Sequence, residues 1–296
     1  MTRPLAPVST EMAESRRATL SLIKKPYLAI RKYLRTFPNA YPRFLYKYIS
    51  PDIPDNHLAD YLIESYFWLS SPVVFNDPFD TSAHVINEGP VSEIRRVWME
   101  ISKNQVPQLS KEQRELEVSR LMASESNTPE SIRKVLQKNS EKIGVSCLSE
   151  DSRSLLMWSH YAKQHRDIVL QFEIAKDPET MLNAMTVDYS DEYPILNFAQ
   201  GLKGQLQKII LRKFKDWEYE KEWRILIIGG ASTYLKFQPK TLTGVIFGCR
   251  ADDQLKLRIK KLCFERTEKK LSSLNFYNAK MHQSQYKIIL ERDKNI

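Results

Sequence analysis

The chain of 296 residues is 42% hydrophobic and 10% aromatic, which is enough for a packed core and excludes a globally disordered protein. Its apolar runs, such as residues 225–228, are too short to span a bilayer, and residues 1–17 contain no apolar segment of the kind found in secretory signals. Its three cysteines lie far apart and form no C-x-x-C pair, so a structural zinc site is excluded and a reducing, cytoplasmic environment is expected.

Most of the net charge of +9 lies in an N-terminal arm, residues 1–42, which we separate from a domain over residues 43–292. The arm holds eight Lys and Arg against two Asp and Glu, a net charge of +6, so the rest of the chain is only weakly basic. Within residues 20–37, apolar side chains recur at steps of three and four positions and predict an amphipathic helix, interrupted at Pro26. This helix would either dock on the main domain or bind an acidic partner or a membrane surface.

Beyond the arm, strand and helix patterns mix without a regular βαβ alternation. In chain order they predict strand 43–50, helix 55–65, strand 66–72, a turn over 74–80, helices 91–103, 109–123 and 129–142, strand 143–148, helix 153–165, strands 167–173 and 185–190, helix 195–213, strands 222–228 and 243–248, helix 252–263, and strands 274–280 and 286–290. Thr128 and Pro129 are typical of the N-cap and the first position of a helix. The expected fold is α+β: a single domain with a central mixed, largely antiparallel sheet flanked by helices, plus the basic helical arm.

The segment 155–165, LLMWSHYAKQH, combines a tryptophan, a serine, two histidines and a tyrosine. On a helix Leu155 and Trp158 lie on one apolar face. We expect the helix to pack through them on a sheet that contains the strands at 145–148 and 222–228.

The histidines of this segment exclude one kind of site and leave two interpretations open. His160 and His165 would lie about 140° apart around a regular helix, so they cannot hold one metal ion as residues four positions apart can. Tyr161 and His165 could meet on one face. His160 and Tyr161 form either a pocket wall that faces a ligand, or a structural pair in which the tyrosine packs in the core and the histidine holds a neighbouring loop.

The segment 216–228, DWEYEKEWRILII, holds the strongest strand pattern and a run of alternating carboxylates. In an extended chain, one face would carry Glu218, Glu220, Glu222 and Arg224, and the other Trp217, Tyr219, Trp223 and Ile225. Like charges on one face are unfavourable unless cations or a ligand compensate. The E-x-E pair either positions a sugar hydroxyl and stabilises a developing cation, or belongs to a salt-bridged sheet face with Lys213, Lys215 and Arg224.

The segment 75–80, FNDPFD, brings Asn76, Asp77 and Asp80 into a predicted turn. It lacks the glycine and terminal glutamate of a calcium-binding EF-hand loop. It is either a side-chain-capped turn or part of a site. The sequence contains no glycine-rich dinucleotide fingerprint, P-loop, H-E-x-x-H or G-x-S-x-G motif.

Six segments spread over the expected domain form a distinctive set. They are LYKY (45–48), WLSSPVVFNDPFD (68–80), VSCLSED (145–151), LLMWSHYAKQH (155–165), WEYEKEWRI (217–225) and LTGVIFGC (242–249). In this order they resemble a bacterial family known as domain of unknown function family 2971. The chain departs from the family pattern at Leu148, where Phe is usual, and at Asp167, where Gly is common. The second difference concerns the backbone that leaves the predicted helix.

A further likeness is to ADP-ribosyltransferases, which carry an NAD-contacting polar residue on an early strand and a catalytic glutamate, often within E-x-E, on a late strand. It implies NAD as the cofactor, no metal, and a cleft between LYKY and EKEWR. The residues so assigned are Glu222 and Glu220 for catalysis, and Lys47, Tyr48, Asn76, Asp77, Trp158, His160, Tyr161 and Arg224 for the substrate and cofactor pocket. Lys47 stands where many such enzymes place a histidine. A toxin or a phage-defence effector would be one role for such an enzyme.

Two alternatives remain. The first is a non-catalytic interaction or sensor module, whose basic arm contacts a membrane, a nucleic acid or a protein partner. The second is a hydrolase or nuclease that uses Asp77, Asp80 and Glu222, although no pattern defines a metal geometry for it.

Overall fold

The computed structural model describes residues 41–49, 55–202 and 204–293. The amphipathic helix expected over residues 20–37 lies outside these ranges, as does nearly all of the arm. In the described part of the chain, no helix has the length and apolarity needed to cross a membrane.

The described residues form a succession of strands and helices in which helices cluster between the third and fourth strands. The strands are β1 (Phe44–Tyr48), β2 (Tyr66–Leu69), β3 (His84–Ile86), β4 (Gly144–Ser149), β5 (Ile168–Glu173), β6 (Ala184–Thr186), β7 (Asp188–Ser190), β8 (Ile195–Asn197), β9 (Arg212–Phe214), β10 (Glu222–Ile227), β11 (Thr233–Lys236), β12 (Leu242–Phe247), β13 (Asn275–Met281) and β14 (Ile288–Asp293). The helices are α1 (Asp55–Ala59), continued by a π-helical turn (Asp60–Glu64), α2 (Val91–Gln105), α3 (Lys111–Ala123), α4 (Pro129–Ser140), α5 (Leu155–Tyr161), α6 (Pro178–Met181), α7 (Gln205–Ile210) and α8 (Asp253–Glu268).

Eight strands form one curled sheet in the order β14-β13-β12-β5-β1-β4-β10-β6. Only β12 and β13 run parallel within it, and the other described pairs are antiparallel. The α+β class and the mixed, largely antiparallel sheet are therefore confirmed. Strands β4 and β10 are neighbours over their full length, from Glu222 opposite Ser149 to Ile227 opposite Gly144. The expectation that these two segments share a sheet is confirmed as well.

The two faces of the sheet pack against different elements. Leu45, Leu148 and Trp223 point into the largest apolar cluster, which also takes in the π-helical turn and α8. On the opposite face, α5 packs through Trp158, which is fully buried and meets the ring of Tyr48 edge-on at 5.6 Å. The predicted packing of α5 on the sheet is confirmed. Leu155 contacts the same cluster from a partly buried position.

The α2, α3 and α4 helices build a separate apolar cluster, which includes Val97, Trp98 and Ile132. Local sequence explains where these helices begin. The Ser110 hydroxyl accepts a hydrogen bond from the Gln113 backbone N–H, and the Ser110 backbone N–H donates to the Gln113 side-chain oxygen, forming a capping box. The hydroxyl of Thr128 caps α4, and Pro129 occupies its first position, as the sequence predicts.

The helix predicted over 195–213 is wrong. This stretch contains β8, a 3₁₀ turn, α7 and β9 in succession. Leu196 is fully buried and pairs with Val85 in a small parallel sheet. Gly201 and Gly204 have φ angles of 85° and 79°, which a continuous right-handed helix does not contain.

Three other predicted segments are shorter or divided. Helix α5 ends at Tyr161 instead of residue 165, so Tyr161 and His165 do not meet on one helical face. The strand predicted over 185–190 is divided into β6 and β7, which pair with β10 and β9 respectively. The chain between residues 215 and 220 is a 3₁₀ turn, and the strand pattern applies only from Glu222 onward.

Candidate functional site

Five charged side chains form a cluster on the face of the sheet that α5 covers. They are Asp80, Lys213, Glu220, Glu222 and Arg224, and we refer to them as the ionic cluster. Each of the five side chains is at most 6% exposed to solvent. Charges so fully removed from water require partners at close range, and the cluster supplies them from within.

Arg224 forms the base of the ionic cluster. Its guanidinium donates to Glu222 in a bidentate arrangement, with Nε 2.9 Å from Oε1 and Nη2 3.0 Å from Oε2. Its other edge donates to both carboxylate oxygens of Asp80, with Nη1 3.0 Å from Oδ1. The Ile210 carbonyl accepts a further bond, and the Phe75 ring lies 5.0 Å from the guanidinium carbon. All directions of this planar donor group are therefore occupied.

Lys213 connects Arg224's partners to Glu220. Its Nζ lies 2.6 Å from Glu220 Oε2, 3.3 Å from Glu222 Oε2 and 3.7 Å from Asp80 Oδ2. The ring of Trp217 lies 5.0 Å from the same nitrogen. One ammonium group thus serves three carboxylates.

A kink at Lys221 allows two glutamates two positions apart to reach the same lysine. Glu220 ends the 3₁₀ turn, Lys221 has a left-handed φ of 45°, and Glu222 begins β10. The backbone carbonyl of Glu220 accepts a 2.6 Å hydrogen bond from Ser149, which ties the kink to β4. Because the turn is not extended, Glu218 does not join the face of Glu220 and Glu222 and stays exposed.

One line of hydrogen bonds connects the ionic cluster to the surface. The Tyr161 hydroxyl donates to Glu220 Oε1 at 2.6 Å, and the exposed Asn76 donates to that hydroxyl from 3.2 Å. The exposed His160 ring lies 6.3 Å from the rings of both Tyr161 and Tyr219. Tyr161 therefore separates Glu220 from solvent.

The pKa values of Glu220 and Glu222 are shifted in opposite directions. Burial alone would raise the pKa of Glu222, but the attraction of Arg224 and Lys213 outweighs it and lowers the pKa to about 2. Burial raises the pKa of Glu220, and the attraction of Lys213 only partly offsets that rise. Burial also raises the pKa of the Tyr161 hydroxyl, with the nearby Glu220 charge adding to it. Tyr161 is thus a hydrogen-bond donor and not an acid at neutral pH.

The residues predicted on the early strand donate their side-chain hydrogen bonds to backbone carbonyls and not to the ionic cluster. Tyr48 is buried and donates to the Asp151 carbonyl at 2.8 Å, and Lys47 donates to the Cys147 carbonyl at 2.9 Å. Strand β4 lies between β1 and β10 in the sheet, so LYKY and EKEWR are not on adjacent strands, and the cleft between them stays a prediction. Trp158, expected in the pocket wall, is fully buried and donates to the Ser152 carbonyl at 2.9 Å.

The two aspartates of the predicted FNDPFD turn have different roles. Asp77 accepts a 2.8 Å hydrogen bond from the Phe79 backbone and so stabilises the turn, as a capping side chain does. Asp80 joins the ionic cluster. It also lines a cavity of about 720 Å³ between this turn, α4 and α7. Asp80 and Glu222 give their oxygens to Arg224, and in the described part of the chain no group of three or more His, Cys, Asp or Glu is arranged to hold a metal.

Sequence reasoning assigned Lys213 only to the salt-bridge alternative and missed Tyr189. The Tyr189 hydroxyl accepts a 2.9 Å hydrogen bond from the Glu222 backbone. Lys215, expected beside Lys213, pairs instead with Asp191 on the surface at 2.7 Å. The sequence pointed to Lys213 because three nearby glutamates on one predicted face need a compensating cation. Tyr189 had no signal in the sequence, since its role depends on how β7 packs.

Residues 157–225 match the model of a family described as Protein of unknown function (DUF2971). This match confirms the resemblance to domain of unknown function family 2971 over the stretch that contains Tyr161, Lys213, Glu220, Glu222 and Arg224. No curated protein and no solved structure shows significant similarity to the chain. The likeness to ADP-ribosyltransferases stays a prediction.

Proposed function

We propose that the protein is an ADP-ribosyltransferase-like enzyme that binds NAD, with Glu220 as the carboxylate that acts on the ligand. The observation that carries the proposal is the line Asn76–Tyr161–Glu220, which runs from the surface to a buried, cation-supported carboxylate. Three segments far apart in the chain converge on it: FNDPFD, MWSHYA and EKEWR. Perturbed titratable groups collected in this way are typical of functional sites.

The chemistry requires a carboxylate beside a sugar that loses its leaving group. As nicotinamide departs from NAD, positive charge develops on the ribose, and a nearby carboxylate stabilises it best where water is excluded. Lys213, 2.6 Å from Glu220, favours the ionised form of that carboxylate despite its burial. Glu220 can therefore act as the electrostatic group.

Glu222, the catalytic residue implied by the resemblance, has a positioning role in this proposal. Both of its oxygens accept hydrogen bonds from Arg224, and Lys213 lies 3.3 Å from one of them. A carboxylate held in this way orients Lys213 but has no free edge for a sugar. Access to Glu220 requires the Tyr161 side chain to move aside, with Asn76 and His160 at the rim. A toxin or phage-defence effector is one biological use of this activity.

The test combines NAD binding with nicotinamide release. Ligand at a hundred times its dissociation constant raises stability by about 2.7 kcal/mol, so a thermal shift with millimolar NAD measures binding. Chromatography of free nicotinamide measures the reaction. Glu220→Gln should keep the fold and the NAD shift but abolish release, because its proposed effect is on the transition state.

Glu218→Gln is the matched control, because Glu218 lies two positions earlier on the same turn and is exposed. It should release nicotinamide at the wild-type rate. Loss of release in Glu218→Gln, or full release in Glu220→Gln, would contradict the assignment of Glu220.

A second candidate is the non-catalytic interaction module. The observation in its favour is that each charge of the ionic cluster is buried and partnered by another member of it. Such a network can serve to align FNDPFD, α5 and β10, with no chemistry. A wild-type chain that shows neither a thermal shift with NAD nor nicotinamide release would favour this candidate.

A further inference from the structure

Three consecutive residues after α5 have left-handed backbone angles. Lys163, Gln164 and His165 have φ values of 47°, 55° and 67°. Each such residue other than glycine costs free energy, and left-handed residues normally occur singly. We call residues 163–165 the left-handed turn. Strain of this kind persists only where surrounding structure enforces it, and it is concentrated at functional sites.

Several contacts enforce the left-handed turn. The His165 N–H donates to the Trp158 carbonyl at 3.1 Å, and the His165 carbonyl accepts from the Arg250 N–H at 2.9 Å. The His165 ring stacks on Trp158, with 6.1 Å between ring centroids and 10° between ring planes. A Cβ atom at Gly248 would lie 2.1 Å from the His165 oxygen, so the turn also lies directly against the end of β12.

The left-handed turn and the last turn of α5 border a surface groove of about 440 Å³. Its lining consists of Ser159, His160, Lys163, Gln164 and Arg166. Three of these five residues are basic and none is acidic. Arg166 contacts Gln164 at 3.0 Å, and within the described residues no ion pair involves Lys163 or Arg166. The groove therefore presents two side-chain cations that form no close ion pair among the described residues, although the charge of Lys163 also acts on the nearby Asp167 carboxylate.

The backbone adds further donors at the same place. Among the described residues, no backbone carbonyl accepts a hydrogen bond from the N–H of Lys163 or Gln164. By contrast, the His165 N–H donates to the Trp158 carbonyl and the Arg166 N–H to the Ala162 carbonyl. Successive N–H groups in a turn form concavities suited to anions. Arg and Lys beside them are the side chains that bind phosphate most strongly.

We infer that this groove binds the phosphate or diphosphate group of a small ligand. The left-handed turn then has a function, since it carries Lys163 and two free backbone donors to the groove wall. His160 borders both this groove and the Tyr161–Glu220 pair, so a nucleotide held here by its phosphates would extend its sugar toward Glu220. The inference does not rest on the proposed reaction, because phosphate binding requires no nicotinamide release.

Calorimetric titration of the full chain tests the groove, with ADP and inorganic pyrophosphate as the two probes. The double variant Lys163→Gln with Arg166→Gln removes the side-chain cations. The matched control, Arg120→Gln with Lys138→Gln, removes the same charge from exposed positions on α3 and α4. We expect the groove variant to weaken binding of both probes at least about tenfold, and the control to stay within about twofold of wild type.

The two probes distinguish the source of the phosphate. Tighter binding of ADP indicates a nucleotide, while equal binding of pyrophosphate indicates a free phosphate ligand, and both outcomes support the groove. Equal weakening in both double variants would overturn it, because the effect would then be one of net charge. Absence of wild-type binding to either probe at millimolar concentration would overturn it too. Lys163→Gln alone, at an exposed side chain, repeats the test if the double variant melts early.

Discussion

The two ends of the ionic cluster hold their carboxylates in different ways. At one end, Glu222 and Asp80 are bound by the fork of Arg224, and their geometry is complete without any ligand. At the other end, Glu220 has one cation, Lys213, and one neutral donor, Tyr161, which in turn reaches the exposed Asn76. Both ends are buried. The second is linked by hydrogen bonds to an exposed side chain, whereas the first borders a cavity through Asp80.

This difference separates a supporting role from a chemical one. A carboxylate with bidentate pairing contributes a fixed anchor and little reactivity, whereas a carboxylate covered by one tyrosine becomes accessible to a ligand if that side chain is displaced. The likeness to ADP-ribosyltransferases implied Glu222 as the principal catalytic carboxylate, with Glu220 beside it. In the proposed function, their surroundings assign a supporting role to Glu222 and the chemical role to Glu220.

The largest expected effect is on the Arg224 end. Arg224→Met should destabilise the fold by about 3–5 kcal/mol, because it leaves Glu222 and Asp80 buried with Lys213 as their only cation. Chemical denaturation measures the loss. Arg212→Met is the matched control, since Arg212 pairs with the exposed Asp188 at 2.8 Å and should change stability by only about 0–1 kcal/mol. An equal loss of unfolding free energy in Arg224→Met and Arg212→Met would contradict a special structural role for the Arg224 end of the ionic cluster.

The second effect is on the pH dependence of stability. The pKa of Glu222 is lowered to about 2 from an ordinary value of 4.5, so its stabilising contribution is complete above pH 4.5 and lost as the pH falls toward 2. The pKa of Glu220 is raised in the folded state, so this residue makes the opposite contribution: its protonation as the pH falls stabilises the fold.

Variants separate these opposite contributions. Glu222→Gln should flatten the loss of stability between pH 4.5 and about 2, while Glu220→Gln should leave that loss in place. Denaturation midpoints measured across this pH range provide the readout. A steeper acid loss in Glu222→Gln than in wild type would contradict the assigned pKa direction.

The smallest of these effects concerns Tyr161. Tyr161→Phe removes the hydroxyl that donates to Glu220 and should cost about 1–2 kcal/mol, the value of a hydrogen bond to a charged group with partial burial. Tyr286→Phe, at a fully exposed ring, should change nothing measurable. If Tyr161→Phe left both stability and nicotinamide release unchanged, the line from Asn76 to Glu220 would have no function.

Local signals in the sequence predicted much of the fold. The capping residue Thr128 marked the start of α4, because an N-cap acts through hydrogen bonds to its own helix. The alternation of Trp223 and Ile225 against Glu222 and Arg224 predicted which face of β10 is apolar, since the side-chain period of a strand is local too. The short strands β3, β8 and β9 escaped prediction, because three residues carry too little pattern.

The arrangement of the site depended on contacts between distant parts of the chain. Nothing near Glu220 in the sequence shows that Tyr161 covers it, and nothing near LYKY shows that β4 separates it from EKEWR. The left-handed turn is equally invisible locally, because its residues favour ordinary helix and contacts with Trp158, Gly248 and Arg250 hold them otherwise.

By itself, the sequence determined the class of fold, the apolar faces of α5 and β10, and the need for cations near a run of glutamates. These properties follow from periodicity and charge, which act over a few residues. Only the tertiary structure decided which glutamate is enclosed by Arg224 and which lies behind Tyr161. The reason is physical: burial and pairing set the pKa and the accessibility of a carboxylate. Tyr161, which covers Glu220, is 59 residues away in the chain, and Asp80, which shares Arg224 with Glu222, is 144 residues from that arginine.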